Sequence, residues 1–268
     1  MKTFINKNTY NIQPMSNIYS MSTNTTQTNK IAIVSNKQYP MKDEYNSIIP
    51  LNIFQTWHTK DLPPNMKRSV EYIKRTNPMF NYQLFDDTDC YNFIRDNFDA
   101  SVLNAFNKLI PGAYKADLWR YCILYKLGGI YLDIKYIPAN KFRFIHLTEA
   151  EHWVLDADKY GIYNALMVCK AGNPILLSAI NKIVEHTRTN FYGSCHLEPT
   201  GPKLLARYFH LYEKKILDMK HTCHDNNRLI HFNNYIVFKT YSEYLNETNH
   251  YKKTDHYSVL WNNRKIYH

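Results

Sequence analysis

Asp117 and Arg120 stand three residues apart in the run YKADLWRYCILYKLGGIYLDIKY, residues 114–136, and Asp133 and Lys135 stand two apart near its end. A carboxylate beside a guanidinium can accept hydroxyls in a fixed orientation, while the planar fork donates to a sugar or phosphate oxygen. Asp133 follows the apolar stretch Ile130, Tyr131, Leu132. In open α/β sheets ligands gather outside the carboxyl ends of strands, so an acid leaving a buried strand is well placed for chemistry. The combination points to a nucleotide-sugar site. Plainer readings stand beside it. An Asp and an Arg three apart are commonly a solvated pair contributing under ~1 kcal/mol, and an acid after a strand is commonly a turn residue.

The elements that must position these groups are legible around them. Ala116, Trp119, Cys122, Ile123 and Leu127 recur at three- and four-residue steps, which predicts a helix with one buried face. Gly128 and Gly129 end it, since glycine takes the left-handed conformation that closes the last turn. Ile130 to Leu132 then read as a strand covered on both faces. Trp153-Val154-Leu155-Asp156 reads as another buried strand ending in an acid, and Asn164 opens the apolar run 164–168. Asp156 and Asn164 could line the sugar or acceptor side, or serve as turn and strand-start residues. Thr200-Gly201-Pro202 reads as a bend into a helix, with proline in the first turn.

Three blocks carry a resemblance. Asp117, Arg120, Tyr121, Leu124, Tyr125, Gly128, Gly129, Ile130, Tyr131 and Asp133 are similar to the core motif of the DXD glycosyltransferases of family thirty-two. That group includes yeast initiating mannosyltransferases and capsular-sugar transferases, and the clostridial glucosylating toxins carry a related version. The stretch IPLNIFQTW, residues 49–57, resembles the family's opening strand, and Phe85-Asp86-Asp87 resembles its aromatic-Asp-Asp strand end. The resemblance runs from about residue 49 to 202. It implies an α/β fold of GT-A type, a Rossmann-like mixed sheet flanked by helices, and retaining transfer of a sugar from a UDP- or GDP-sugar to a glycan or protein acceptor. It also implies that Asp117 and Arg120 hold hydroxyls of the donor sugar, that Asp133 is the first acid of the motif, and that Gln55, Thr56, Trp57 and Tyr131 lie on the donor side. Trp57 reads equally as a base-stacking aromatic or as core.

One departure bears on the metal. Where the family has a second acid, this chain has Lys135, so the motif reads Asp-Ile-Lys. The resemblance implies a manganese or magnesium ion bridging the acids and the diphosphate. A lysine about 5 Å from a divalent ion would be opposed by roughly 6–7 kcal/mol at an effective dielectric near 20. Three resolutions follow: Lys135 turns away and Asp133 holds the ion with C-terminal ligands, Lys135 itself neutralises the diphosphate, or catalysis has been lost. The first is the expectation, because Asp255-His256-Tyr257-Ser258-Val259-Leu260-Trp261 resembles the family's C-terminal segment that closes over the donor. His256 would be a ligand, Ser258 an oxygen donor, and Trp261 a lid or core aromatic.

The 268 residues, 44% of them hydrophobic, suit one sizeable α/β domain, assigned here to residues 44–268. Residues 1–43 are rich in Asn, Thr, Ser, Lys and Gln and read as a flexible arm with at most one short strand at 31–34. No signal peptide or membrane-spanning run is evident, and five scattered cysteines suit cytosolic thiols, so a cytoplasmic protein is expected rather than an anchored one. Low glycine with abundant Tyr, Asn, Ile and Lys is compatible with an AT-rich source such as a large DNA virus, which would place the protein in host cytoplasm or virion. The net charge of +10 raises nucleic-acid binding, but the cations are spread along the chain without a nucleic-acid motif. A catalytically weakened relative that binds nucleotide sugars or glycans is the other alternative.

Overall fold

The computed structural model describes residues 37–224, 227–251 and 255–268. The short strand read at 31–34, like most of the proposed arm, lies outside the described residues. In chain order the elements are β1 (Asn52–Thr56), α1 (Pro64–Thr76), β2 (Asn81–Phe85), α2 (Asp87–Asn97), α3 (Ala100–Lys108), α4 (Gly112–Leu127), β3 (Gly129–Leu132), β4 (Tyr136–Pro138), β5 (Val154–Leu155), β6 (Leu166–Cys169) and α5 (Pro174–Thr189). There follow α6 (Pro202–Leu205), α7 (Leu211–Lys215), β7 (Met219–His224), β8 (Asn227–Phe232), β9 (Tyr235–Thr240), α8 (Tyr244–Tyr251) and α9 (Tyr257–Asn262).

The strands form two sheets. One has the order β2-β1-β3-β6, with β1 parallel to β2 and β3, and β6 antiparallel to β3. The other has the order β4-β9-β8-β7-β5. The expected mixed sheet flanked by helices is therefore present. All four residues of β3 are buried, as a central strand covered on both faces requires. Asp133 to Lys135 connect β3 in the first sheet to β4 in the second, so the chain changes sheet at the motif itself.

The expectation of one buried face on α4 is corrected. Helix α4 is buried nearly all round from Asp117 to Leu124, and Leu127, which the periodicity placed inside, is 40% exposed. The reason is that α4 is sandwiched: it contacts β3 on one side and α2, α3 and α5 on others. Its interior therefore includes Trp119, whose ring lies 4.9 Å from that of Phe85 and 6.2 Å from that of Tyr131. The double glycine does what the sequence requires. Gly128, at φ +61°, caps α4 by donating its N–H to Leu124 O at 2.9 Å. Gly129, at φ +125°, lets β3 start against β1, where an added Cβ would stand 2.8 Å from Asn52 O and Cβ.

At the N-terminal side Tyr39 stacks on Phe232 with ring centroids 5.0 Å apart, so the described chain is already packed before residue 44. Among the described residues no helix is long and apolar enough to cross a membrane. Gly129→Ala should destabilise by roughly 1–3 kcal/mol, from a backbone conformation that side chains avoid and a backbone clash. Urea unfolding checks this; an unchanged midpoint would show that β3 can shift away from Asn52.

Candidate active site

Asp133 is the first residue past β3. Its N–H donates to Ala165 O at 2.7 Å and its carbonyl accepts from Tyr136 N–H at 3.0 Å, which closes the turn between the sheets. Helix α4 runs beside this turn, and the three-residue step puts Asp117 and Arg120 on the side that meets it. The pair is not on the surface: Asp117 is 8% and Arg120 6% exposed.

Arg120 joins the parts. Its Nη1 lies 3.4 Å from Asp117 Oδ1 and 3.3 Å from Asp133 Oδ1, and donates to Asn164 O at 2.9 Å. Nε donates to Ala116 O at 3.1 Å, and the guanidinium lies 4.4 Å from the centroid of the Tyr131 ring, a favourable cation–π position. One side chain thus touches α4, the β3 turn and the start of the β6 segment.

Asp117 is held from two further directions. Asn164 Nδ2 donates to Oδ1 at 2.8 Å and Thr200 Oγ1 donates to Oδ2 at 2.7 Å. The same Asn164 amide donates to Tyr121 Oη at 2.8 Å, and that hydroxyl donates to Thr200 O at 2.9 Å. These contacts leave acceptor capacity on the carboxylate, which has about four lone-pair directions. Burial pushes the Asp117 carboxyl above the usual range, against the pull of Arg120 and the two donors. At Asp133 burial acts the same way, but Lys135 and Arg120 prevail and hold the carboxyl below the usual range. Two carboxylates joined by one arginine are thereby pushed in opposite directions, a pattern common at functional sites.

Lys135 does not turn away. Its Nζ donates to Asp133 Oδ2 at 2.5 Å, while Tyr131 Oη donates to Oδ1 at 2.8 Å. The ammonium lies 5.4 and 5.5 Å from the ring centroids of Tyr136 and Tyr163, whose hydroxyls are 2.8 Å apart. Tyr163 stacks face to face on His221, with centroids 3.8 Å apart and planes 3° apart, and His221 Nδ1 is 2.9 Å from Asp156 Oδ1. Asp156 is thus tied to the motif through His221 and Tyr163, while Asn164 lies against Asp117 itself. His221 Nε2 is buried without a hydrogen-bond partner among the described residues. Arg228 on β8 is close enough for its charge to bear on Tyr163 and Tyr136.

The remaining sequence-predicted residues are spread more widely. Gln55 is fully buried and spent on the sheet, donating to Leu132 O at 3.2 Å and accepting from Tyr82 Oη at 2.8 Å. Thr56 Oγ1 donates to Phe85 O at 2.9 Å. Trp57 packs beside the small cluster of Met66, Val70, Ile134 and Tyr241, and its buried Nε1 lacks a partner among the described residues. Trp261 is anchored by Nε1 donating to Tyr192 O at 2.7 Å and packs on the main core. His256 precedes α9, exposed, with Nδ1 2.7 Å from Ser258 Oγ and accepting from Ser258 N–H at 3.3 Å.

This donor set does not fit the expected divalent ion. Both oxygens of Asp133 are engaged, one of them by an ammonium where a second acid would stand. Among the described residues no three His, Cys, Asp or Glu side chains gather to hold an ion. Manganese or magnesium at Asp133 would have to displace Lys135 and meet its charge. The expectation that Lys135 turns away from Asp133 is therefore corrected: its ammonium lies on Oδ2.

Sequence reasoning missed Tyr163, His221 and Arg228, which sit outside the motif blocks on β7, β8 and the approach to β6. Thr200 was visible only as part of the Thr-Gly-Pro bend, whose structural use is to bring its hydroxyl to Asp117.

Comparison with known proteins follows the same residues. The family described as "Glycosyltransferase sugar-binding region containing DXD motif" matches residues 63–159, which include Asp117, Arg120 and Asp133. "Inositol phosphoceramide mannosyltransferase 3" of Schizosaccharomyces pombe is 30% identical over 63% of this chain and 47% of its own length. "Inositol phosphoceramide mannosyltransferase 2" of the same yeast is 26% identical over 82% of this chain and 63% of its own. The chain thus spans about half to under two thirds of the length of these relatives. A solved structure titled "PaToxG Glycosyltransferase" superposes with a TM-score of 0.44 at 17% identity, covering 63% of this chain and 69% of that one.

Removing one partner of a buried charged cluster leaves the rest uncompensated, so Arg120→Ala should cost about 3–5 kcal/mol in urea unfolding; a loss under about 1 kcal/mol would mean the cluster is solvated. The pH dependence has a definite sign. Because its folded carboxyl lies below the unfolded value near ~3.9, Asp133 stabilises the fold above that pH and loses this contribution as pH falls through the folded value. Asp133→Asn should therefore show a flatter stability curve below about pH 4 than the parent in acid titrations followed by circular dichroism; curves of equal slope would remove the ion pair from the account.

Proposed function

We propose that this chain, whose residues 63–159 match the DXD sugar-binding-region family of glycosyltransferases, transfers a hexosyl unit from a nucleoside-diphosphate sugar to an acceptor hydroxyl. The observation that carries the reading is the buried constellation of Asp117, Arg120 and Asp133 at the carboxyl end of β3. Asp117 keeps acceptor capacity for sugar hydroxyls and is fixed by Asn164 and Thr200, so it presents that capacity in one orientation. Asp133 anchors the cationic side of the site, where the diphosphate would lie. The Trp57 N–H, without a partner among the described residues, favours the nucleotide lying towards β1.

In the transfer, the bond between the anomeric carbon and the β-phosphate oxygen breaks and its electron pair leaves on the diphosphate. The acceptor oxygen bonds to the anomeric carbon, and its proton passes to the released diphosphate. No side chain is required as a strong base. Stabilisation of the departing charge by fixed donors is the main contribution such a site can make.

Mannose is the sugar favoured by the names of the yeast relatives, and inositol phosphoceramide, which those names carry, is the acceptor class to try beside glycans and glycoproteins. Release of nucleoside diphosphate from a panel of UDP- and GDP-sugars tests the reading. Asp133→Asn should lower turnover by about 100-fold or more, the order seen when one preorganised charge-stabilising group is lost, with the folded state retained at neutral pH; full activity would remove Asp133 from the site. Asp117→Ala should blunt discrimination between sugars more than nucleotide affinity. A loss confined to free nucleotide binding would contradict that role.

A further inference from the structure

We propose that Lys135 does the work of the divalent ion: its ammonium holds and neutralises the diphosphate, and the donor is bound without metal. The proposal rests on the transferase reading above. Relative to a site with two acids, replacing the second acid by lysine changes the local charge by two positive units, the charge a divalent ion would bring. Asp117, Asp133, Arg120 and Lys135 are then mutually neutral before the donor arrives.

The placement of the ammonium supports this. It is fixed at 2.5 Å on Asp133 Oδ2 and flanked by the rings of Tyr136 and Tyr163, so it is oriented before a ligand binds. Its side chain remains 11% exposed and that of Asp133 20%, so the pair is sheltered yet reachable. An ammonium has three donors, of which Asp133 takes one. The others are available to phosphate oxygens, which a lysine binds as a point charge. Arg228 on β8 is a second cation whose charge bears on Tyr136 and Tyr163. During transfer Lys135 stays protonated; its share is to offset the negative charge that grows on the leaving oxygen.

The test is calorimetric titration of the full chain with UDP and with GDP, in chelator and in manganese. The parent should bind one of them with an affinity that chelator changes by less than about twofold. Lys135→Met should weaken binding about tenfold or more, the value of a lost charged hydrogen bond. Lys135→Arg, which keeps the charge, should retain most of it and guards against misfolding as the cause. Lys135→Asp, which restores the two-acid motif, should bind only when manganese is present. Binding by the parent that requires manganese, or full affinity in Lys135→Met, would overturn the proposal while leaving the transferase reading intact. Absence of nucleotide binding in both media would overturn that reading and this one with it.

Discussion

The guanidinium of Arg120 is the interaction on which the rest of the site depends. A buried arginine is tolerated only if its charge and donors are met, and here Asp117, Asp133, Ala116 O, Asn164 O and the face of Tyr131 meet them. Those partners come from α4, from β3 and its turn, and from the segment entering β6, so satisfying one side chain fixes how three parts of the chain approach one another. The double glycine makes the approach feasible, since it lets α4 end and β3 begin against Asn52 within two residues. Specificity of geometry, rather than net stability, is what such a buried cluster supplies here, because apolar replacements of similar volume are often as stable.

The electrostatics follow from where each acid sits relative to that arginine. Asp117 has neutral donors, Asn164 and Thr200, on its outer sides, and burial raises its carboxyl above the usual range. Asp133 has Lys135 on its outer side, and its carboxyl is held below the usual range. The two carboxylates can therefore divide the labour of a sugar-diphosphate site: one presents hydroxyl acceptors, the other orients cations. The stack of Tyr163 on His221, held in turn by Asp156, walls the cationic side and limits how far Lys135 can move.

Much of this was legible in the chain itself. The helix, double glycine, buried strand and terminal acid are local consequences of periodicity and backbone preference, and they occur where the spacing placed them. The Asp-Arg step at 117 and 120 was legible as a pair but not as a buried one, because burial depends on α5 and the Thr200 bend arriving from far along the chain. The side to which Lys135 points was undecidable from spacing, which gives alternation along an extended segment and says nothing of a turn between two sheets. Gln55 and Thr56 looked like site residues by their place in the opening strand, yet their polar atoms are consumed by Leu132 O and Phe85 O. His221 and Tyr163 carry no signal in sequence, since their pairing brings β7 against a residue far earlier in the chain, just before β6.

A crystal structure of the chain with a nucleoside-diphosphate sugar would test the central claim most directly. The account predicts sugar hydroxyls on Asp117, with the diphosphate against Lys135 beyond the end of β3. A donor seated elsewhere, such as the open cleft of about 920 Å³ lined by Arg68, Arg75, Lys239 and Tyr241 between α1 and β9, with the Asp117–Arg120–Asp133 cluster untouched, would contradict it.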